Sequence, residues 1–199
     1  SWDICTDMAI KLVPGGHPYH AIAEAAANAA REGDVTAANV VSITIERPGM
    51  RTLTGPLHPA TLIDMAHSPG YFAAAGVADH DFAWEHSGAA KIADPTIHRL
   101  IECVQVGTPP DDASRFRQGA TVTIRMRDGG SVSNTVHVPK GAASLGVGWR
   151  EVDAKYRTLM PMSGMDQQQV ESSLQLIHDV RAAASLVPLI RALEVARHD

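Results

Sequence analysis

Residues 120–138, ATVTIRMRDGGSVSNTVHV, decide the fold class of this chain. Apolar and polar side chains alternate on both sides of the DGG sequence, which is typical of two half-buried strands joined by a tight turn. In the first strand, Val122 and Ile124 share one face, opposite the face of Arg125 and Arg127. The segment therefore predicts a β-hairpin that lays one face against a core.

Outside the hairpin, the sequence is mainly helical in character. A strand is expected in NVVSITIE at 39–46, with Val41, Ile43 and Ile45 on one face, and a short one in CVQVG at 103–107. Apolar spacing and turn residues predict helices at 2–12, 19–31, 59–90 with a break at 68–70, 94–102, 149–159, 166–178 and 182–196. Because helices and strands do not alternate as in a doubly wound sheet, we expect an α+β fold with a small antiparallel sheet.

The composition argues against several classes of function. The 199 residues carry a formal net charge of −5, whereas nucleic-acid binders usually show a basic balance or patch. No apolar run reaches the ~18 residues of a membrane span, and the first residues do not resemble a signal peptide. The two cysteines, Cys5 and Cys103, form no metal-like pair, so a reduced cytoplasmic setting is the simplest interpretation.

The sequence has no recognisable motif for cofactor chemistry. The ten histidines form no HExxH motif, and His17 with His20 gives only two potential ligands, where catalytic zinc usually has three. No GxxxxGK[ST] or GxGxxG sequence is present to hold phosphates, and no GxSxG is present to carry a serine nucleophile. We therefore expect no metal and no organic cofactor, which leaves acid–base chemistry by side chains.

The segment KLVPGGHPYH, residues 11–20, is a first candidate for such chemistry. Lys11 precedes a Pro-Gly-Gly turn, where it could bind a substrate carboxylate or donate a proton. His17 and His20 lie at the start of the next helix, where backbone N–H groups favour anions. An exposed Lys11 with two capping or solvent-facing histidines explains the same pattern, and local sequence alone favours that simpler interpretation.

A second candidate is AHSPGYFAAAG, residues 66–76, in which Tyr71 follows a helix break three residues after Ser68. A tyrosine at such a break could donate a proton or a hydrogen bond to an oxyanion. A core tyrosine with a satisfied hydroxyl accounts for the pattern equally well.

Five segments, taken in order, resemble the C-terminal part of the MmgE/PrpD family, which includes 2-methylcitrate dehydratase, cis-aconitate decarboxylase and iminodisuccinate epimerase. These segments are Lys11-x-x-Pro14 with His20 six residues after the proline, Ser68-x-x-Tyr71, DPTIHRLIECVQV at 94–106, TVTIRMRDGG at 121–130 and WREVDAKYRTLM at 149–160. Their order and spacing extend the resemblance over nearly the whole chain.

The resemblance implies that this chain has two structural parts and that it works with a separate helical domain. Residues 1–160 would form an α+β, lid-type domain, and the helices of residues 161–199 would pack on a helical domain that this sequence lacks. We expect that domain on a separate polypeptide, or removed from the chain, and we expect an oligomer. Without the partner, an alanine-rich helical face should expose an apolar patch and self-associate.

The resemblance also implies where the chemistry occurs. Active sites of the family lie in the cleft between the two domains and act without a metal on small di- or tricarboxylates. The residues carried over by position form a catalytic set, Lys11, His20 and Tyr71, and a substrate-binding set, His17 and Ser68. Two departures concern the substrate: Gly15 and Gly16 stand where the family often has a cysteine or another residue, and GAASLGVG at 141–148 replaces a loop with proline and asparagine.

A lyase that works by α-proton chemistry, either a dehydratase or a decarboxylase, is the leading hypothesis. In such a reaction a base removes the proton next to a carboxylate, and cations stabilise the enolate-like charge. The alternatives are an isomerase or epimerase of the same fold and a non-catalytic binding subunit. Loss of substrate mass would indicate a lyase, whereas solvent deuterium uptake at the α carbon would indicate an isomerase.

Overall fold

The structure, a computed structural model, describes residues 9–108 and 118–194, apart from the side chain of Ala143. The chain divides into two compact units, the first ending at Gly146 and the second beginning at Val147. The division predicted from the sequence, into residues 1–160 and 161–199, stays a prediction.

The first unit is an α+β structure built around a four-stranded sheet. Its α-helices in the described residues are α1 (His20–Glu32), α2 (Leu62–Ala66), α3 (Pro69–Asp79), α4 (Ala89–Ile92) and α5 (Pro95–Ile101). Its strands are β1 (Val40–Glu46), β2 (Val104–Val106), β3 (Ala120–Met126) and β4 (Ser131–Val136), in the spatial order β2-β1-β3-β4. Short 3-10 turns lie at His17–Tyr19, Ala37–Asn39, Trp84–Ser87 and Ala143–Leu145. The predicted α+β class is thereby confirmed.

The sheet is mixed rather than wholly antiparallel. Strand β3 pairs antiparallel with β4, as the hairpin predicts, and also with β1. Strand β2 instead runs parallel to β1, with Ile43 opposite Val104. A parallel pair needs a long crossover connection, and the segment that contains α2 to α5 supplies it. The direction of so short a strand could not be deduced from its own alternation.

An irregularity at the start of β1 reverses the predicted face of Val41. The pairing register with β3 shifts between Val40 and Ser42. Val40 is consequently buried and Val41 is 53% exposed, while Ile43 and Ile45 lie in the core as expected. The prediction for Val41 is wrong because a β-bulge adds one residue to the alternation, which a pattern of period two does not anticipate.

Helix α1 packs against β3, β4 and α3, and its alanines make this close approach possible. Nearly all of its residues from Ala21 to Ala30 are buried. Gly76 in α3 brings the two helices together, because a Cβ at that position would lie 2.7 Å from the carbonyl oxygen of Ala23. This tight packing fixes the position of α1 and therefore of His20, its first residue.

The break between α2 and α3 is made by side-chain caps. Thr61 and Asp64 form a reciprocal capping box at the start of α2. Ser68 then caps α3, since its Oγ accepts a hydrogen bond from the backbone N–H of Tyr71 at 3.2 Å. Helix α3 ends where His80 adopts a φ of 56°. The long predicted helix is therefore several short ones, each with its own start.

The helix predicted at 2–12 is not formed by the described part of that segment. Residues 1–8 lie outside the described residues. Ala9 forms an antiparallel bridge with Ala142, and the N–H of Ile10 donates to the carbonyl oxygen of Gly141 at 2.9 Å. The prediction is wrong for residues 9–12, because backbone pairing with the loop after β4 replaces the hydrogen bonds of a helix.

The second unit consists, in its described residues, of α6 (Trp149–Leu159), α7 (Gln167–His178) and α8 (Val187–Ala192), with 3-10 turns at Met160–Ser163 and Val180–Ala182. The hydroxyl groups of Tyr156 and Ser173 join α6 to α7 at 2.8 Å. Two parallel hydrogen bonds between Arg157 and Glu171 reinforce this contact. Pro188 lies in the first turn of α8, where its ring is tolerated, rather than kinking a longer helix.

Candidate functional site

The loop before α1 approaches the core through its two glycines. Gly15 has a φ of 85°, and a Cβ at this position would lie 2.5 Å from Cζ of Phe72. A Cβ at Gly16 would lie 2.7 Å from the carbonyl oxygen of Ala66, and the Gly16 N–H donates to that oxygen at 2.9 Å. The loop is thereby held against α2 and α3, and it leads directly into the histidines at the start of α1.

His20 is buried, and both of its ring nitrogens lack a hydrogen-bond partner among the described residues. Its relative exposure is 3%, and neither Nδ1 nor Nε2 meets a donor or acceptor in hydrogen-bond geometry. The ring stacks on Phe72 with centroids 6.2 Å apart, and the ring of His17 meets it edge-on at 5.1 Å. The rings of Phe72 and His17 and the nearby loop carbonyls of Pro14 and Gly15 surround this imidazole, and no described group satisfies either nitrogen with a well-formed hydrogen bond.

Burial and positive charge keep His20 neutral near pH 7. Burial is the main cause that lowers its pKa from the ordinary 6.5 to about 4; His17 and Lys11 lower it further, and carbonyls of the loop act in the opposite direction. The pKa of His17 is also lowered, first by burial and then by Lys11 and Arg47. A neutral imidazole in a positive field favours an anionic ligand.

Lys11 and Arg47 supply this field. Lys11 is exposed, and its Nζ donates to the carbonyl oxygen of Gly15 at 3.0 Å. Arg47, just after β1, is half-buried; burial lowers the pKa of its guanidinium, and its Nε has no hydrogen-bond partner among the described residues. Within residues 9–108 and 118–194, neither cation forms an ion pair with a carboxylate.

Two cavities adjoin these side chains. A cavity of about 100 Å³ has His20 in its wall, together with Phe82 and the charged pair Glu24 and Lys140, whose Oε1 and Nζ are 3.8 Å apart. A larger, more open cavity of about 350 Å³ has Arg47 in its wall. Lys11, His17 and His20 therefore lie close together in the structure, with His20 in the wall of the smaller cavity.

A comparison with protein-family models shows to which family the chain is related. Residues 14–179 match the MmgE/PrpD C-terminal domain. The chain belongs to the MmgE/PrpD family. The resemblance inferred from the five ordered segments is thereby confirmed, including its restriction to the C-terminal part of the family. None of the curated proteins compared with the chain matches it significantly.

The described part of this MmgE/PrpD chain contains neither a membrane-spanning helix nor a cluster of metal ligands. None of the helices within residues 9–108 and 118–194 has the length and apolar character needed to cross a membrane. In the same residues, no three side chains of His, Cys, Asp or Glu come together as the ligands of a metal ion would.

The structure places Tyr71 and Ser68 in the core. Tyr71 has 0% relative exposure, and its hydroxyl donates to the carbonyl oxygen of His86 at 2.9 Å. Burial raises the pKa of this hydroxyl, and the carboxylates of Asp79 and Asp94 raise it further, so it stays protonated. Ser68 is 1% exposed and serves as the cap of α3. These positions give both residues a packing role, and their predicted parts in catalysis and substrate binding stay predictions.

A column of stacked rings connects the core to His20. Phe82 lies between two rings, with its centroid 4.7 Å from that of Phe72 and 4.8 Å from that of His86. Nδ1 of His86 accepts from the N–H of Ala83 at 3.0 Å, so Nε2 carries the proton that it donates to Asp79 at 2.8 Å. The fixed ring of His86 thereby sets Phe82 and Phe72, on which the His20 ring rests.

Sequence reasoning missed Arg47 and Arg51. The sequence RPG indicates only the end of a strand, whereas the structure has both arginines in the wall of the larger cavity. A signal was present: arginines flank a Pro-Gly turn at the end of a buried strand, in a chain whose net charge is −5.

Proposed function

We propose that this chain forms one wall of a lyase active site for a small di- or tricarboxylate. The observation that carries the proposal is the neutral, buried imidazole of His20, with two unpaired nitrogens, beside the cation Lys11. Membership of the MmgE/PrpD family supports it, since dehydratases and other lyases belong to that family. By the same relationship, the reaction would proceed without a metal.

Substrate binding would change the basicity of His20. A substrate carboxylate would pair with Lys11, whose Nζ donates to the carbonyl oxygen of Gly15 and to no other group among the described residues. Negative charge next to the imidazole favours its protonated form, so the pKa of His20 would rise from about 4 toward the working pH. The substrate would thus activate its own base, because general bases work best when their pKa lies near the operating pH.

In the proposed dehydration, His20 is the base and Lys11 stabilises the charge that develops. His20 takes the proton from the carbon next to a carboxylate, and the electron pair of that C–H bond forms the carbon–carbon double bond. The hydroxyl on the neighbouring carbon would then leave as water, taking up the proton that His20 acquired from the α carbon, which returns the imidazole to its neutral form. Enolate-like charge that develops on the carboxylate is stabilised by Lys11, because a cation that already faces the site needs little reorganisation.

We also propose that a helical domain on a separate chain closes the site. The second unit supports this, since the region of α8 exposes several large apolar side chains: Leu186, Val187, Ile190 and Leu193. Exposed apolar groups that are contiguous mark interaction surfaces in folded proteins. Co-expression of the chain with an all-helical neighbour, followed by co-purification, tests this part of the proposal.

The catalytic proposal is tested with the chain in complex with its helical partner and a panel of hydroxy-substituted di- and tricarboxylates. Lys11→Met and His20→Gln should each lower turnover about 100-fold or more, the usual range for loss of an acid–base or charge-stabilising group. Arg125→Gln, which removes a cation from the exposed side of β3, is the matched control and should leave turnover unchanged. Normal turnover in both test variants sinks the assignment, and products of unchanged mass favour an epimerase.

A further inference from the structure

The cavity of about 350 Å³ has the chemical lining of an anion site. It combines two arginines with hydroxyl groups, and its wall contains no carboxylate; the polar residues are Tyr19, Arg47, Arg51, Thr52 and Thr54. Its volume lies in the range of about 300–1,000 Å³ that is typical of pockets for small molecules. Guanidinium and hydroxyl donors without a counter-charge indicate a carboxylate or phosphate ligand.

The guanidinium of Arg47 is left without a hydrogen-bond acceptor for its Nε and without a counter-charge among the described residues. Its Nε is buried and has no hydrogen-bond partner among the described residues. Neither Arg47 nor Arg51 forms an ion pair within residues 9–108 and 118–194. A partly buried cation without a counter-charge costs folding free energy, and an anion that pairs with the guanidinium would offset that cost.

The two arginines are carried on a rigid turn. The N–H of Met50 donates to the carbonyl oxygen of Arg47 at 3.1 Å, with Pro48 second and Gly49, at a φ of 77°, third in the turn. Proline followed by glycine with positive φ is the pattern of a type II turn. Met50 is buried and anchors the far side of the turn. The backbone at Arg47 is therefore fixed by this turn before any ligand arrives.

This cavity adjoins the site around His20. Pro18 and Tyr19, which separate His17 from His20 in the chain, form part of its wall. Arg47 is also close enough to His17 to lower the pKa of that imidazole. A molecule with two or three carboxylates could therefore place one group at Lys11 and another in the cavity.

We infer that Arg47 and Arg51 bind a second carboxylate of the substrate and make the site selective for di- and tricarboxylates over monocarboxylates. The inference rests on the proposed function for the identity of the ligand, but it concerns binding and can be tested without turnover. Arg47 is the main contact, because it is the more buried of the two, and Arg51 is the exposed second cation.

The experiment measures equilibrium binding by calorimetry to the chain in complex with its helical partner, with tricarballylate as an unreactive tricarboxylate, butyrate as a monocarboxylate and inorganic phosphate as a third probe. Arg47→Gln should weaken tricarballylate binding about tenfold or more, as expected for loss of a charge-assisted hydrogen bond, and leave butyrate unchanged. Arg51→Gln, at an exposed position, should show the same selectivity with a smaller loss. Arg125→Gln is the matched control and should match the wild type.

Three results would overturn the inference. The first is tricarballylate affinity in Arg47→Gln and Arg51→Gln equal to that of the wild type, or no saturable binding by the wild type. The second is an equal loss for tricarballylate and butyrate. The third is a phosphate affinity that exceeds the tricarballylate affinity and disappears in Arg47→Gln, which would make the cavity a phosphate site. Failure of the proposed reaction would show in Lys11→Met and His20→Gln turnover and leaves these binding results unaffected.

Discussion

Replacing His20 by glutamine should remove a pH-dependent loss of stability from the chain. In the folded state burial, with His17 and Lys11, lowers the pKa of this imidazole to about 4, whereas an unfolded chain has the ordinary value of 6.5. Between these values the unfolded state binds more protons than the folded state. The free energy of unfolding therefore falls as pH falls from 6.5 to 4, and below 4 the loss is complete.

The size of this loss follows from the two pKa values. One unit of pKa corresponds to about 1.4 kcal/mol, so the difference between 6.5 and about 4 gives about 3 kcal/mol. That is a large part of the ~5–15 kcal/mol by which domains are stable. The burial of His20, at 3% relative exposure, leaves little solvent to screen the effect.

The assay compares urea unfolding of the wild type and His20→Gln at several pH values from 7 to 4. The variant should lose about 3 kcal/mol less over this interval, whatever its stability at pH 7. His67→Gln removes an exposed imidazole from the same unit and should retain the full wild-type slope. Parallel curves for wild type and His20→Gln, or a ring titration of His20 near 6.5 by NMR, would refute the reasoning.

Three further predictions concern packing in the first unit. Gly76→Ala should cost about 1–3 kcal/mol in urea unfolding, because its Cβ would lie 2.7 Å from the carbonyl oxygen of Ala23, and an unchanged midpoint would contradict this close contact. Tyr71→Phe should lower stability by about 1–3 kcal/mol through the unpaired carbonyl of His86 while turnover persists, and a loss of turnover without a loss of stability would instead support the catalytic role. Ser68→Ala should cost about 0.5–2 kcal/mol through the lost cap, with Ser68→Thr, which keeps a capping hydroxyl, retaining most of the stability; equal losses in both variants would argue against capping.

Helices and strands were predictable from the sequence where their hydrophobic periodicity matches the face that is buried in the fold. The hairpin β3–β4, helix α1 and helix α6 follow their predicted ranges closely, because each has clear periodicity and a stop signal such as Gly33. The bulge that exposes Val41 and the parallel direction of β2 depend on pairing between distant segments. No short-range pattern encodes such pairing, so sequence reasoning could not supply either feature.

The candidate site was predictable only in part, for a similar reason. Lys11, His17 and His20 are close in sequence, so their proximity in the fold follows from one turn. Arg47 reaches the same region from the end of a strand, by tertiary packing. Tyr71 sits at a helix start in both the prediction and the structure, but the direction of its side chain is set by its hydrogen bond to a carbonyl fifteen residues away.

The contact between Gly15 and Phe72 makes the residue types at these two positions depend on each other. A Cβ at residue 15 would lie 2.5 Å from Cζ of the phenylalanine, so the smallest residue and a large ring are mutually dependent. A relative that acquires a side chain at the first position would need a smaller one at the second. The pair should therefore change together among homologous sequences, and that covariation would trace how the loop beside His20 was reshaped for different substrates.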